Sequence, residues 1–357
     1  MAIEATDKVI VIALDAMGGD RAPDAVLGGA NAFAKKHSDV NFLLFGDENI
    51  LNDKLSHYTQ LQNQSQVCHA PDVVDDAEKP SAALRKGRHS SMRLAIDAVR
   101  SKRAHAVLSG GNTGALMAMA KLGLSTIPGI DRPAICSVFP TMKKSCVLLD
   151  LGANVDCNVD NLVQFCIMGD AFAKVILGRE TPRVRLLNIG SEDTKGSEIV
   201  KAAAQEIRDG GYDINFCGYI EGNEIAQGIA DVIVTDGFTG NVALKTAEGT
   251  ANMCGHYIKQ AFKSSPLAFL GGMFAKRAIK KMFKRMDPRY HNGALFVGLN
   301  GIAVKSHGYM DEIGLQNAIK VTYNLAKYDI NKKISSELMH DDESGSGNED
   351  ILLDTTG

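Results

Sequence analysis

Short apolar runs, each closing on a glycine or an acidic residue and each followed by an amphipathic stretch, recur along the chain. VIVIALDA (residues 9–16) leads into MGGD and a helix opened by Pro23. FLLFGD (42–47), AHAVLSGG (104–111), RVRLLNIG (183–190) and DVIVTDG (231–237) repeat the rhythm. Strands that alternate with helices predict parallel βαβ units. Parallel strands are covered on both faces, and these runs are continuously apolar rather than alternating. One pair departs from the pattern. AICSVFP (134–140) and SCVLLDLG (145–152) are separated only by the polar residues 141–144, a spacing that predicts an antiparallel hairpin. The expected fold class is therefore α/β: a three-layer αβα sandwich with a mixed, mostly parallel sheet. Residues 1–339 read as a single domain, and the acidic, Gly- and Ser-rich residues 340–357 read as a disordered tail.

Composition narrows the classes. The 35 glycines, against 9 prolines, fall in no low-complexity run and fit many tight strand-to-helix turns. A net charge of −3 gives no basic field for nucleic acid, and none is expected as a partner. The 7 cysteines form no CxxC pair, so a zinc site is not expected; an odd number without a secretory leader points to a reducing, cytoplasmic setting. No apolar run approaches the roughly 20 residues of a spanning helix.

The glycine-rich junctions are the candidate sites, because open α/β sheets bind ligands beyond the carboxyl ends of their strands. Neither GxxxxGK[ST] nor a clean GxGxxG occurs. In LSGGNTGAL, Gly111, Asn112, Thr113 and Gly114 sit at a helix start, where free N–H groups favour an anion; the same residues also make an ordinary capped helix. In DGFTGNVALK, Asn241 and Lys245 share a helix face next to Asp236 and are candidates to grip an oxyanion. Lys195 lies in the junction NIGSEDTKG. Asp150 and Asn154, in DLGANVDCN, are candidate ligand residues or turn residues, with no metal expected. Lys305 and His307 are two apart in GIAVKSHG and read as facing the same way from a strand, a cation beside an imidazole.

Residues 262–287 contain a basic amphipathic segment. From about Met273 one helical face carries Ala275, Ala278, Ile279, Met282, Phe283 and Met286, and the other carries Lys276, Arg277, Lys280, Lys281, Lys284 and Arg285. The preceding PLAFLGGMF reads as an exposed loop or a helix hairpin broken by its glycines. A face of one sign suits an anionic membrane surface or an acidic protein partner, or the solvated side of a helix at a subunit interface.

LDAMGGDRAP, SGGNTGAL, DRPAI, DLGANVDCN, NIGSEDTKG, DGFTGNVALKTAEG and NGIAVKSHG, in this order, resemble the phosphate acyltransferase PlsX family from residue 14 to residue 308. The resemblance implies transfer of an acyl group from acyl carrier protein (ACP) to inorganic phosphate. It also implies an isocitrate/isopropylmalate-dehydrogenase-like fold, no cofactor, a homodimer, and loose membrane association that passes acyl phosphate to a membrane-bound glycerol-phosphate acyltransferase for phospholipid synthesis. Leu295, Phe296 and Tyr309 depart from the residues expected at their positions and bear on pocket shape. In this reading the helix start at 110–114, Lys195, Asn241 and Lys245 hold phosphate. Lys305 and His307 face the carbonyl oxygen or the leaving sulfur, and Asp236 orients its neighbours. The alternatives are a phosphotransacetylase-like enzyme using acyl-CoA, a nicotinamide-dependent decarboxylating dehydrogenase, and a non-catalytic ACP- or membrane-binding scaffold.

Overall fold

A computed structural model describes residues 9–336; the tail expected at 340–357 lies outside the described residues. In chain order the strands are β1 (Ile10–Asp15), β2 (Val40–Gly46), β3 (Ser65–His69), β4 (Ala106–Ser109), β5 (Ala134–Phe139), β6 (Cys146–Leu149), β7 (Arg183–Asn188), β8 (Asn215–Glu221), β9 (Val232–Val234), β10 (Ala294–Val297) and β11 (Ile302–Lys305). The helices are α1 (Asp24–Ala34), α2 (Glu48–Leu55), α3 (Thr59–Asn63), α4 (Pro80–Lys86), α5 (Ser91–Arg100), α6 (Thr113–Leu124), α7 (Val159–Leu177), α8 (Glu198–Asp209), α9 (Gly237–Lys263), α10 (Pro266–Met286) and α11 (Glu312–Lys327).

All these strands lie in one sheet, in the order β3-β2-β1-β4-β11-β10-β5-β6-β9-β7-β8. Alternate residues of a strand feed opposite faces. Ile12 and Leu14 of β1 join the core shared with α1, α7 and α11, whereas Ala13 joins the core under α5 and α6. Helices therefore cover both faces, as the continuous apolar runs predict. Full burial of a side chain such as Leu14, Phe42 or Phe165 stabilises the fold by about 1.5–3 kcal/mol.

The expected β5–β6 hairpin is present and antiparallel, with Val138 opposite Val147. It belongs to a larger reversal. β10 runs antiparallel to both β11 and β5, and β5 runs antiparallel to β6. Three antiparallel pairings in succession turn the sheet over. β1, β2, β3, β4 and β11 run one way, and β6, β9, β7 and β8 run the other. The glycine-rich junctions, each at the carboxyl end of its strand, therefore fall at two edges of the sheet. The 110–114 and 305–307 junctions lie at one edge of the sheet, and the 150–154, 190–196 and 236–241 junctions lie at the other.

A correction concerns the basic segment. PLAFLGGMF is neither a loop nor a broken hairpin: α10 is continuous from Pro266, with Ser265 capping Ala268 N, and runs through both glycines. The hairpin is made instead by α9 and α10, which pack against each other. A methyl group on Gly272 would meet Phe262 Cδ1 at 2.8 Å, so this glycine lets the two helices approach closely.

Candidate functional site

At the first edge three loops interlock. Asp20 N donates to Gly308 O at 2.9 Å, and a Cβ on Gly110 would stand 2.8 Å from Gly18 O, so the loops after β1, β4 and β11 meet backbone to backbone. Beneath them lies Asp15, the last residue of β1. It is buried and accepts hydrogen bonds from Ser91 Oγ and Ser109 Oγ, both at 2.6 Å. Burial raises its pKa, against those two hydroxyls and the Lys305 charge. The Lys305 ammonium donates to Gly110 O at 3.1 Å and to Ser306 O, leaving one N–H. Burial lowers its pKa to about 8, against the pull of Asp76, Asp15 and Asp20.

β11 ends at Lys305, so His307 stands in the loop beyond it rather than on the strand. Its backbone N–H donates to Asn292 Oδ1 at 3.1 Å, and buried Ser306 accepts from Asn292 Nδ2 at 2.8 Å on the other side. Burial, followed by the Lys305 and Lys245 charges, lowers the His307 pKa to about 4, so the ring is neutral at neutral pH.

The helix start at 111–114 adjoins this floor. The Asn112 side chain is fully engaged. It caps Ala115 N at 3.0 Å and donates to Asp75 O, Asp76 O and Glu78 O. Asn112 therefore ties the 75–78 loop to α6, and what it leaves for an anion is the first-turn amides of Thr113 and Gly114. Gly114 also faces Pro80, whose Cγ would be 2.8 Å from an added Cβ.

At the opposite edge the side chains mostly build framework. The buried Asp150 carboxylate accepts from Ile135 N, Gly152 N, Ala153 N, Asn154 N and Asn154 Nδ2 at 2.7–3.1 Å. Asn154 also donates to Pro133 O. These two residues shape the loop. Asp236 is the N-cap of α9, bound by Thr239 N and Thr239 Oγ1. A Cβ on Gly240 would lie 1.9 Å from Asp150 O, which seats the start of α9 directly on that loop, with Asn241 beside Gly152. Lys195 is exposed on the loop after β7 and folds over Gly190.

The two edges are joined by α9. Asn241, Lys245 and Glu248 follow one another at i, i+4 and i+7 on a single face. Glu248, roughly 16 Å along the helix from its start, reaches the far edge: its Oε1 lies 3.4 Å from His307 Nε2. Burial raises the Glu248 pKa, against the nearby Lys245 charge. Tyr309 completes the cluster, its ring centroid 5.6 Å from that of His307. Lys305 and Lys245 both act electrostatically on His307, Asn241 lies one turn before Lys245 on the same face, and nothing ties Lys195, on the loop after β7, to this cluster. Sequence reasoning did not single out Glu248, Asn292 or Asp15. The i+3 spacing of Glu248 from Lys245 was the only local signal for the first; Asp15 is tied to serines 76 and 94 positions away, and Asn292, in the loop before β10, to residues 14 and 15 positions away. Leu295 and Phe296, the other departures, are buried in β10 between β11 and β5.

Beyond Glu248 the same helix forms, with α10, a groove of about 920 Å³ lined by Phe262, Phe269 and Ile279 among Lys259, Lys276 and Lys280. Leu267 and Phe274 stand exposed near it, at 82% and 91%, as do Lys276, Arg277, Lys280 and Lys281. The side chains of residues 283–286 lie outside the described set. Among the described residues no helix is long and apolar enough to cross a membrane, and no group of three His, Cys, Asp or Glu could hold a metal ion.

Residues 10–333 match the family described as fatty acid synthesis protein. Curated relatives include phosphate acyltransferases of Rhodospirillum centenum, 54% identical over 92% of each chain, and of Paramagnetospirillum magneticum, 49% identical over 92% of this chain and 93% of the relative. Among solved structures, a phosphotransacetylase from Streptococcus pyogenes superposes with a TM-score of 0.60 at 15% identity, covering 89% of this chain and 94% of that one. The EutD phosphotransacetylase from Staphylococcus aureus gives 0.55 at 17% identity with the same coverage. At these identities the two structures speak to the fold alone.

Proposed function

The chain belongs to the fatty acid synthesis protein family and is a phosphate acyltransferase, and from that premise we propose that it converts acyl-ACP and inorganic phosphate into acyl phosphate and ACP, feeding phosphatidic acid and phospholipid synthesis. The observation that carries the site assignment is the meeting of Lys305 and His307 with the Asn241–Lys245–Glu248 face of α9.

Phosphate is already nucleophilic, so the chemistry is direct attack on the thioester carbonyl. Holding the two reactants in line supplies much of the rate. The cationic groups Lys305 and Lys245, with the first-turn amides of Thr113 and Gly114, offer a seat for phosphate. The remaining Lys305 N–H is placed to stabilise the tetrahedral oxyanion. The leaving thiolate, with a thiol pKa of roughly 8.5, needs little help to depart. Asp236, Asp150 and Asn154 act by fixing the start of α9 and its supporting loop. In a folded Lys305→Ala/His307→Ala double variant, phosphate-dependent turnover should fall by at least ~100-fold; near-wild-type turnover would remove both residues from the mechanism.

The α9–α10 hairpin extends this reading to partners. Its cationic face complements an acidic carrier protein or anionic lipid headgroups. Its exposed Leu267 and Phe274 suit a homodimer contact or a peripheral hold on the inner face of the membrane, next to a membrane-bound glycerol-phosphate acyltransferase. The working location is the cytoplasm. The acyl-CoA reading has the same chemistry and a smaller carrier, and competition between acyl-CoA and acyl-ACP separates the two.

A further inference from the structure

His307 is held from three directions. Asn292 fixes its backbone N–H, Tyr309 lies against its ring, and Glu248 reaches Nε2 from a helix that begins at the other edge of the sheet. Its side chain keeps 33% exposure, so the ring is constrained and yet open to a substrate; Glu248 keeps 18%. A largely buried carboxylate in mid-helix is costly unless it has partners; the nearby Lys245 charge favours its ionised form, and the imidazole is the group its oxygen touches. At 3.4 Å the two groups are in contact but not aligned as a hydrogen bond, the loose geometry common in enzymes without bound substrate, which tightens when substrate binds.

We propose that Glu248 is a positioning residue for the transfer reaction: its carboxylate accepts the Nε2 hydrogen of His307, selects that tautomer, and leaves Nδ1 as the acceptor for the proton of the attacking hydrogen phosphate. This rests on the proposed acyl transfer taking place at the Lys305–His307 cluster. The step balances. A phosphate oxygen forms a bond to the thioester carbonyl carbon, and the C–S bond breaks with its electron pair on sulfur. The phosphate proton passes to Nδ1 and from there to the departing thiolate. Between those events the ring is an imidazolium flanked by the Lys305 and Lys245 ammoniums, which disfavour it. Glu248 supplies the compensating negative charge, in the way a buried carboxylate orients and stabilises the histidine of a hydrolase triad.

The test uses the full-length protein with Glu248→Gln and Glu248→Ala. Gln is close in shape but offers either an acceptor or a donor, so it no longer selects a tautomer. In Glu248→Gln kcat should fall roughly 10- to 100-fold, while KM for phosphate stays within about twofold. In protein with 15N-labelled histidine, the His307 resonances of the wild type should report protonated Nε2, and those of both variants a shifted or mixed tautomer. An unchanged kcat, or an unchanged 15N signature, overturns the proposal. The NMR arm needs no turnover, so a failure of the acyl-transfer reading would show separately, as a wild type inactive with acyl thioester and phosphate.

Discussion

At the scale of single residues, Lys305 experiences opposed forces. Burial lowers its pKa to about 8, although three acidic residues favour the charged form. If its ammonium is required at the oxyanion, kcat should fall as pH rises through about 8. Lys305→Arg, whose guanidinium stays charged, should move that alkaline limb upward. A profile from pH 6 to 10 checks this, and a limb unmoved by the arginine would assign it to another group. Stability should change in the opposite sense. Between about 8 and 10.5 the unfolded chain binds this proton more than the folded one does, so wild type should gain stability relative to Lys305→Met across that window. The residue chemistry was legible where one side chain and its local spacing carried it: Lys305, His307, Asn241 and Lys245 could be named from their junctions. Asp150 and Asn154 could not be sorted into ligands or framework, because that depends on hydrogen bonds within their own loop and to Ile135 and Pro133, at and just before β5. The role of Asp15 depends on Ser91 and Ser109, which lie 76 and 94 positions away.

At the scale of elements, α9 determines the site. Its start was legible from Asp236 and the glycines, and the structure gives that cap a bond to Thr239 N at 2.8 Å. Its length was not legible. Each interior glycine costs a helix about 1 kcal/mol relative to alanine, so Gly271 and Gly272 read as a break. The packing of Gly272 on Phe262 outweighs that local preference. The strands themselves followed from continuous apolar runs. Their directions did not, because β10 pairs with β5 and β11 through contacts that no local pattern encodes. On the α10 face, Lys276→Glu with Lys280→Glu reverses two exposed charges. A carrier-docking face predicts a roughly tenfold higher KM for acyl-ACP, with kcat retained. A lipid-binding face predicts loss of pelleting with anionic phosphatidylglycerol vesicles. If neither changes, the face has neither role.

At the scale of the whole molecule, the reversal of the sheet explains why sequence motifs spread over almost 300 residues converge. Two oppositely directed sets of parallel strands each offer helix starts and loops at their own carboxyl edges, and one long helix connects the two edges at His307. The order of motifs along the chain could be read directly; their distribution over two edges could not, since it depends on three consecutive antiparallel pairings. The proposed site is thus a property of the assembled sheet rather than of any one junction. The most direct test of the central claim is the consumption of acyl-ACP by the wild-type protein with and without inorganic phosphate, the product being trapped with hydroxylamine. The account predicts phosphate-dependent loss of acyl-ACP and formation of an acyl hydroxamate. No phosphate-dependent loss across several chain lengths, in protein shown to be folded, would contradict it.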